Sequence, residues 1–365
     1  MTVLHVAAGN TYGGIERLLV TLASAAHPAL RQEVVLAFGG RFERELQEAG
    51  VPVHRLPSPR ASRPLMVWRA RRAFMGVQAK AAPGVAIFHS AWPHAMFAST
   101  ARAGGARIGF WQHAPVTTPA WPDRWARFVR PDFTVFNSQF TQARPAFPGV
   151  PGHVIHCAVA TPPAVAPDVR RSLRQSLGAG DNDIVVLMAA RLERWKGHEV
   201  LIEAAKRMPS DARIHVWIAG ADREAGSRHE RDLASAAASV TGGARVSLLG
   251  ERDDVPTLVR LADIYCQPNL KGEPFGIAIA EAMLASLPCV VSAAGGAAEL
   301  LDDSCSVITA PGDVAAVADA LQRLAADRDL RARMGAAGAG RASSRTDPAG
   351  RLQELAGVLG CFQPS

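Results

Sequence analysis

The sequence predicts an α/β protein made of parallel sheets, each covered on both faces by helices. Three observations predict it. Short apolar runs alternate with stretches of helical periodicity along the whole chain, the pattern of strand–helix–strand units. Polar residues gather where the apolar runs end, and in such sheets ligands bind at the carboxyl ends of strands. A proline-rich stretch, Val159–Asp168, interrupts the pattern, which then restarts, as expected of a linker between two domains.

The first half reads as follows. Thr2–Ala8 is an apolar strand, Gly9-Asn10-Thr11-Tyr12-Gly13-Gly14 a glycine loop, and Ile15–Ala26 a helix. The loop is not G-x-G-x-x-G, which argues against a nicotinamide dinucleotide. Further strands are expected at Glu33–Phe38, Val51–Leu56, Val85–Ser90, Arg107–Gln112, Phe133–Asn137 and His153–Ala158. Three polar clusters close these strands: His89-Ser90 with His94, Gln112-His113, and Asn137-Ser138 with Thr141. Ser138 is placed to cap the helix after it. From Leu65 to Met75 the chain predicts a basic amphipathic helix with Trp68 and Phe74 among its arginines.

After the linker, Asp168 is expected to cap a helix through Leu177. Strand Asp183–Ala190 leads into the loop Arg191-Leu192-Glu193-Arg194-Trp195-Lys196-Gly197 and a helix to Arg207. Strands Arg213–Ala219 and Arg245–Leu249 follow, then the loop Gly250–Leu258. Ile264–Pro268 is a strand ending at a proline, and its loop carries Glu273. A helix opens near Phe275-Gly276 and contains Glu281. The first amide groups of a helix have no internal partners and form an anion site. A carboxylate accepts hydrogen bonds from two vicinal hydroxyls. A phosphate site flanked by two such carboxylates describes a nucleotide sugar. Arg191 and Lys196, in a loop at a strand's carboxyl end, are suited to phosphate oxygens. Asp327-Arg328-Asp329 has a metal-binding spacing but lies in a helical stretch and is read as exposed surface.

Glu-Pro-Phe-Gly at 273–276, with Glu281 after seven intervening residues, resembles the E-x7-E motif of family-4 retaining glycosyltransferases of the GT-B fold. The stretch Leu287–Leu300, Arg191 with Lys196-Gly197, and Gly13-Gly14-Ile15-Glu16 resemble the same family. Ser286 departs from it, where the family usually has glycine. The resemblance implies two Rossmann-like domains facing across a cleft: residues 1–165 on the acceptor side, 166–345 binding the nucleotide sugar, and 346–365 a helix crossing back. It implies a hexosyltransferase that retains anomeric configuration. Glu273, His113, Arg191 and Lys196 would be its catalytic residues. Gly14, Arg191, Lys196, Arg252, Phe275, Gly276, Ile277 and Glu281 would bind the donor, with His89 and His94 lining the acceptor side. No metal and no cofactor are expected, the nucleotide sugar of UDP or GDP type being a substrate. A nucleotide-sugar epimerase, a sugar phosphorylase and a non-catalytic partner subunit are the alternative readings.

Composition bounds the rest. The chain has 365 residues, 48% hydrophobic and 20% charged, as in a globular enzyme. No apolar run reaches the roughly 18 residues of a membrane span. The start reads directly as a strand without a basic leader, so a cytoplasmic location is expected. The five cysteines are widely spaced and read as buried thiols. Residues 1–165 hold 17 Lys/Arg against 7 Asp/Glu, a net of +10, and the remainder 23 against 26, a net of −3. This asymmetry and the helix bearing Arg69, Arg71 and Arg72 predict peripheral contact with the inner membrane face. The acceptor is expected to be a glycan, a lipid-linked sugar or a small molecule, with no nucleic acid as partner.

Overall fold

The computed structural model describes residues 1–10, 12–222, 224, 226–292 and 295–360. Thr11 of the glycine loop, Ala293 and Ala294 of the 287–300 motif, and Cys361 lie outside the described residues. The chain divides into two compact units: Met1–Val159 with the stretch from Thr346 onward, and Ala160–Arg345.

The first unit is a seven-stranded parallel sheet. Its strands are β1 (Thr2–Ala7), β2 (Arg31–Leu36), β3 (Val53–Arg55), β4 (Val85–Phe88), β5 (Arg107–Gln112), β6 (Phe133–Phe136) and β7 (Gly152–Val154), in the order β3-β2-β1-β4-β5-β6-β7. The chain builds outward from β1 to β3, then returns to lay β4 on the other side of β1. Side chains alternate across β2, as strand geometry requires. Val34 and Leu36 pack with Leu19, Phe42 and Leu46, while Val35 joins the cluster of Phe74 and Phe97 on the opposite face. Helix Pro348–Gly360 packs against helix Gly14–Ser24.

The basic helix spans Pro64–Ala81. Phe74 does not stand among its arginines as expected. It is fully buried against Phe97, because it falls on the stripe of Ala70 and Gln78 that faces the sheet. Arg71 also turns inward, donating to Met96 O at 2.8 Å. Ser138 caps helix Gln139–Gln142 by accepting from Thr141 N.

The second unit is a six-stranded parallel sheet. It contains β8 (Ile184–Ala189), β9 (Ile214–Ala219), β10 (Ala244–Gly250), β11 (Ile264–Gln267), β12 (Cys289–Ser292) and β13 (Ser306–Thr309), ordered β10-β9-β8-β11-β12-β13. β13, an edge strand of four residues, is not among the expected elements. Helix Pro167–Ser176 begins from Ala166 rather than Asp168, because Pro167 takes the first helical position; Asp168 lies in the first turn. That helix is clamped to the starts of β8 and β11. Arg170 and Arg174 reach the carboxylate of Asp263 at 3.1 and 2.9 Å, and Asp263 also accepts from Val185 N at 2.9 Å. Arg260 donates to Pro162 O, so residues 160–165 go with this unit.

Asp327 links two helices, its carboxylate accepting from Leu330 N at 2.7 Å. Cys157, Cys266, Cys289 and Cys305 are buried free thiols. Ser286 adopts φ 65°, the left-handed conformation that glycine tolerates best, and Gly335 packs so closely that a Cβ there would lie 2.0 Å from Ser286 O. Among the described residues no helix is long and apolar enough to cross a membrane.

Candidate active site

In the second unit the order of strands reverses between β8 and β11, and the crevice beyond that point is where such sheets bind ligands. The loops after these two strands meet there. Leu270 N donates to Trp195 O at 2.7 Å. Gly197 has φ 80°, and a Cβ on it would stand 1.9 Å from Pro268 O, so only glycine allows the two loops to touch.

This contact pairs Lys196 with Glu273. Lys196 Nζ lies 2.5 Å from Glu273 Oε2, and each side chain is 12% exposed. The same oxygen accepts from Gln267 Nε2 at 2.9 Å and Asn269 Nδ2 at 3.0 Å. The Gln267 amide cannot turn over, because the Glu273 carboxylate only accepts and so requires its nitrogen; Tyr265 donates to the Oε1 this leaves, at 2.6 Å. Burial holds the Tyr265 phenol well above its ordinary pKa, so it keeps the proton it donates. Three donors thus converge on Oε2. Ser292 Oγ binds Asn269 O at 2.5 Å, and Gly296 N binds Glu273 O at 2.7 Å, fixing the loop from behind. Tyr265, Gln267, Asn269 and Ser292 are not among the expected site residues. Gln267 and Asn269 close an apolar strand, the same signal that marks His113.

Helix Ile277–Leu284 follows, entered through Gly276 at φ 95°. Gly276 lies against the Glu273 side chain, while Phe275 and Glu281 are buried, at 2% and 3% exposure. Arg191 is the second residue past β8, half-exposed and 3.2 Å from Glu193 Oε1. Glu193 also accepts from Trp195 Nε1, and Lys196 Nζ sits 4.1 Å from the centre of the Trp195 ring. Arg252 is placed differently. It follows the edge strand β10 and forks onto Asp254 at 2.8 and 2.7 Å, a hydrogen bond that raises its pKa.

In the first unit, His113 follows β5. Its carbonyl accepts from Asn137 Nδ2 at 3.0 Å, and Gln112 ties the next residues by donating to Ala114 O and Arg144 O. Two of the three polar clusters at strand ends are therefore one assembly. His113 Nε2 lies 3.0 Å from His89 Nδ1, bringing in the third, and Trp111 lies parallel to His113 at 6.0 Å. Burial lowers the His113 pKa to about 3, so its ring is neutral near pH 7. Gly14 opens helix Gly14–Ser24 after β1, at the same end of the sheet. His94 does not line an opening. Its Nε2 meets Val129 O at 2.7 Å, and it packs edge-on against Phe88 and Phe110.

Residues 169–341 match the family described as glycosyl transferases group 1. A D-inositol 3-phosphate glycosyltransferase of Xylanimonas cellulosilytica is 34% identical over 187 residues, 51% of this chain and 44% of that protein. A phosphatidyl-myo-inositol mannosyltransferase of Mycobacterium leprae is 42% identical over 97 residues, 26% of each chain. The chain thus matches less than half the length of these curated relatives. Among solved structures, HepE of Anabaena in complex with UDP and glucose superposes with a TM-score of 0.86 at 23% identity, covering 99% of this chain and all of that one. WaaG, a glycosyltransferase involved in lipopolysaccharide biosynthesis, gives 0.67 at 15% identity, covering 98% and 99%. With its two parallel-sheet units on the GT-B fold and its group 1 match across the second, the chain is similar to the group 1 glycosyl transferases, their family-4 members among them.

Proposed function

We propose that this chain transfers a sugar from a nucleotide diphosphate sugar to an acceptor hydroxyl, with retention of configuration and without a metal. The observation that carries the reading is the Glu273 carboxylate, held by Lys196, Gln267 and Asn269 at the reversal point of the second sheet. Cleaving the sugar–phosphate bond leaves negative charge on the diphosphate and positive charge on the sugar. Lys196, Arg191 and the amides opening helix Ile277–Leu284 meet the first with fixed positive charge and dipoles. Glu273 Oε1 accepts from hydroxyls of the transferred sugar, and Glu281 from the ribose diol. Leaving oxygen and incoming hydroxyl share one face of the sugar, so configuration is retained. HepE, a structural neighbour, has been crystallised with UDP and with UDP-glucose, which supports a donor of this class.

A thermal-shift panel of UDP-, GDP- and ADP-sugars tests the reading, since a ligand that binds only the folded state raises its melting temperature. One nucleotide class is expected to shift it. Transfer should then survive exhaustive EDTA, and the product anomer should match the donor. Loss restored by magnesium or manganese, or an inverted product, overturns the metal-free or the retaining half.

We further propose that the first unit docks peripherally on anionic membrane. Leu65, Trp68 and Met75 are exposed on helix Pro64–Ala81, with Arg72 stacked on Trp68 at 5.6 Å. Trp121, Trp125 and Phe128, the last 85% exposed, stand beside Arg124 and Arg127. Both segments pack on helix Ala91–Ala103. Each exposed arginine near an anionic surface contributes about 1 kcal/mol. Co-sedimentation with anionic but not neutral vesicles is expected at low salt, weakened by Arg69→Glu with Arg72→Glu. Equal pelleting with both vesicle types overturns it.

A further inference from the structure

His113 is the outer end of a row of three imidazoles that crosses the first sheet. His5 on β1 has Nε2 3.2 Å from Gln32 Oε1 on β2 and Nδ1 3.0 Å from His89 Nε2; His89 Nδ1 is 3.0 Å from His113 Nε2. The strand order β2-β1-β4-β5 makes the row continuous, because each member sits on, or one residue past, the next strand. Gln32, His5 and His89 are buried, and only His113 is partly exposed.

The inner end dictates where every hydrogen lies. Gln32 Nε2 is 2.8 Å from Leu22 O and 3.2 Å from Ala25 O. Carbonyls only accept, so the amide nitrogen must face them and the amide oxygen must face His5. His5 Nε2 therefore carries hydrogen. Burial lowers the pKa of His5 to about 4 and holds His89 well below its ordinary value, so the rings are neutral, each with one donor and one acceptor. His5 Nδ1 is then bare and His89 Nε2 donates to it; His89 Nδ1 is bare and His113 Nε2 donates to it. Reversing any single ring would set two N–H groups or two lone pairs against each other in a dry interior, where an unmade hydrogen bond is costly. Trp111 stacks on both His89 and His113 and holds their planes. Ser90, directly after His89, has φ 143° and ψ 168°, a region nearly reserved for glycine and occupied by other residues mainly at functional sites.

We propose that Gln32, His5 and His89 are positioning residues that lock His113 as its Nε2–H tautomer, leaving Nδ1 as a fixed hydrogen-bond acceptor for a substrate hydroxyl. The identity of that hydroxyl, on the sugar or on the acceptor, rests on the transferase reading; the lock does not. A donor such as water, amine or hydroxyl fits this nitrogen, and a carbonyl or phosphate oxygen does not.

The test is nitrogen NMR of the full chain labelled with 15N in its histidine rings, which tells a bare ring nitrogen from one bearing hydrogen. Resonances of His113 are assigned by their loss in His113→Gln. At pH 7 the unaltered protein should show His113 in one tautomer with Nδ1 bare. In His5→Phe, which removes the acceptor for His89, His113 should spread over both tautomers. Turnover at sub-saturating substrate should fall about two-fold at equal populations, because only one tautomer is competent. A hydrogen on Nδ1 in the unaltered protein overturns the lock, and so does an unchanged single tautomer in His5→Phe. If that variant does not fold, the spectrum of the unaltered protein decides alone. A correct tautomer in a chain that transfers no sugar would instead overturn the proposed function and leave the lock standing.

Discussion

At the level of single residues, the pair Lys196–Glu273 joins stability to binding. Both groups are nearly withdrawn from water, so removing one leaves the other charged and unpaired, at a cost of about 3 kcal/mol or more. Lys196→Met should therefore lower the melting temperature clearly. Adding Glu273→Gln should restore much of it, because an amide can still bond Gln267 and Asn269. Neither variant should regain tight binding of a nucleotide diphosphate. Thermal unfolding of the single and double variants, read as a cycle, checks this; additive losses would show that the two side chains do not interact. Both residues are legible in the sequence, because each lies in a recognisable string at a strand's end. Their direct contact is not, since 77 positions separate them. Gln267 and Asn269 lie in the same string as Glu273, yet nothing in their identity says that they turn toward it.

At the level of elements, close approaches of backbone decide more than helix or strand preference. Gly197→Ala would force a left-handed backbone and drive a methyl into Pro268 O, so the loops after β8 and β11 must part. We expect it to abolish binding of nucleotide sugars while the first unit keeps its native circular dichroism; retained affinity would show that the loops need not touch. Ser286→Gly acts in the opposite sense. Relief of φ 65° is worth about 1–2 kcal/mol, and the added freedom of the unfolded chain offsets up to about 1. A small rise in the midpoint of urea unfolding is the expected outcome. Strands read well from sequence where they are central, as with β1, β5 and β8, whose apolar runs are bounded by glycine or polar residues. β13 escapes because an edge strand of Ser-Val-Ile-Thr buries little and carries no alternation. The sequence also leaves the sides of the basic helix open, and it is packing that takes Phe74 and Arg71 inward.

At the level of the whole molecule, the two units differ in how acid should unfold them. Among the described residues the first holds five histidines with pKa lowered by burial: His5 and His94 to about 4, His113 to about 3, His89 well below its ordinary value, and the less buried His153 in the same direction. The second holds two, His198 and His215, each lowered to about 4. Unfolding frees each to take up a proton below 6.5, the ordinary value of a histidine. Stability is then complete above that pH and is lost as pH falls toward the folded values, by up to about 1.4 kcal/mol per unit for each group. Urea unfolding between pH 7.5 and 5 should show the first unit weakening more steeply, and replacing His94 with Phe should flatten its slope. Equal slopes in the two units would contradict this. The second unit has a different kind of safeguard. Arg170, Arg174 and Asp263 bind the starting ends of β8 and β11, the same two strands whose finishing ends present Lys196 and Glu273. The pair resembles a tuning fork, gripped at the stem and free at the tines. A dye attached near Asp263 should brighten or dim only when the unit melts, and one beside Lys196 should respond when a substrate settles in, so one molecule can report the two events on separate channels.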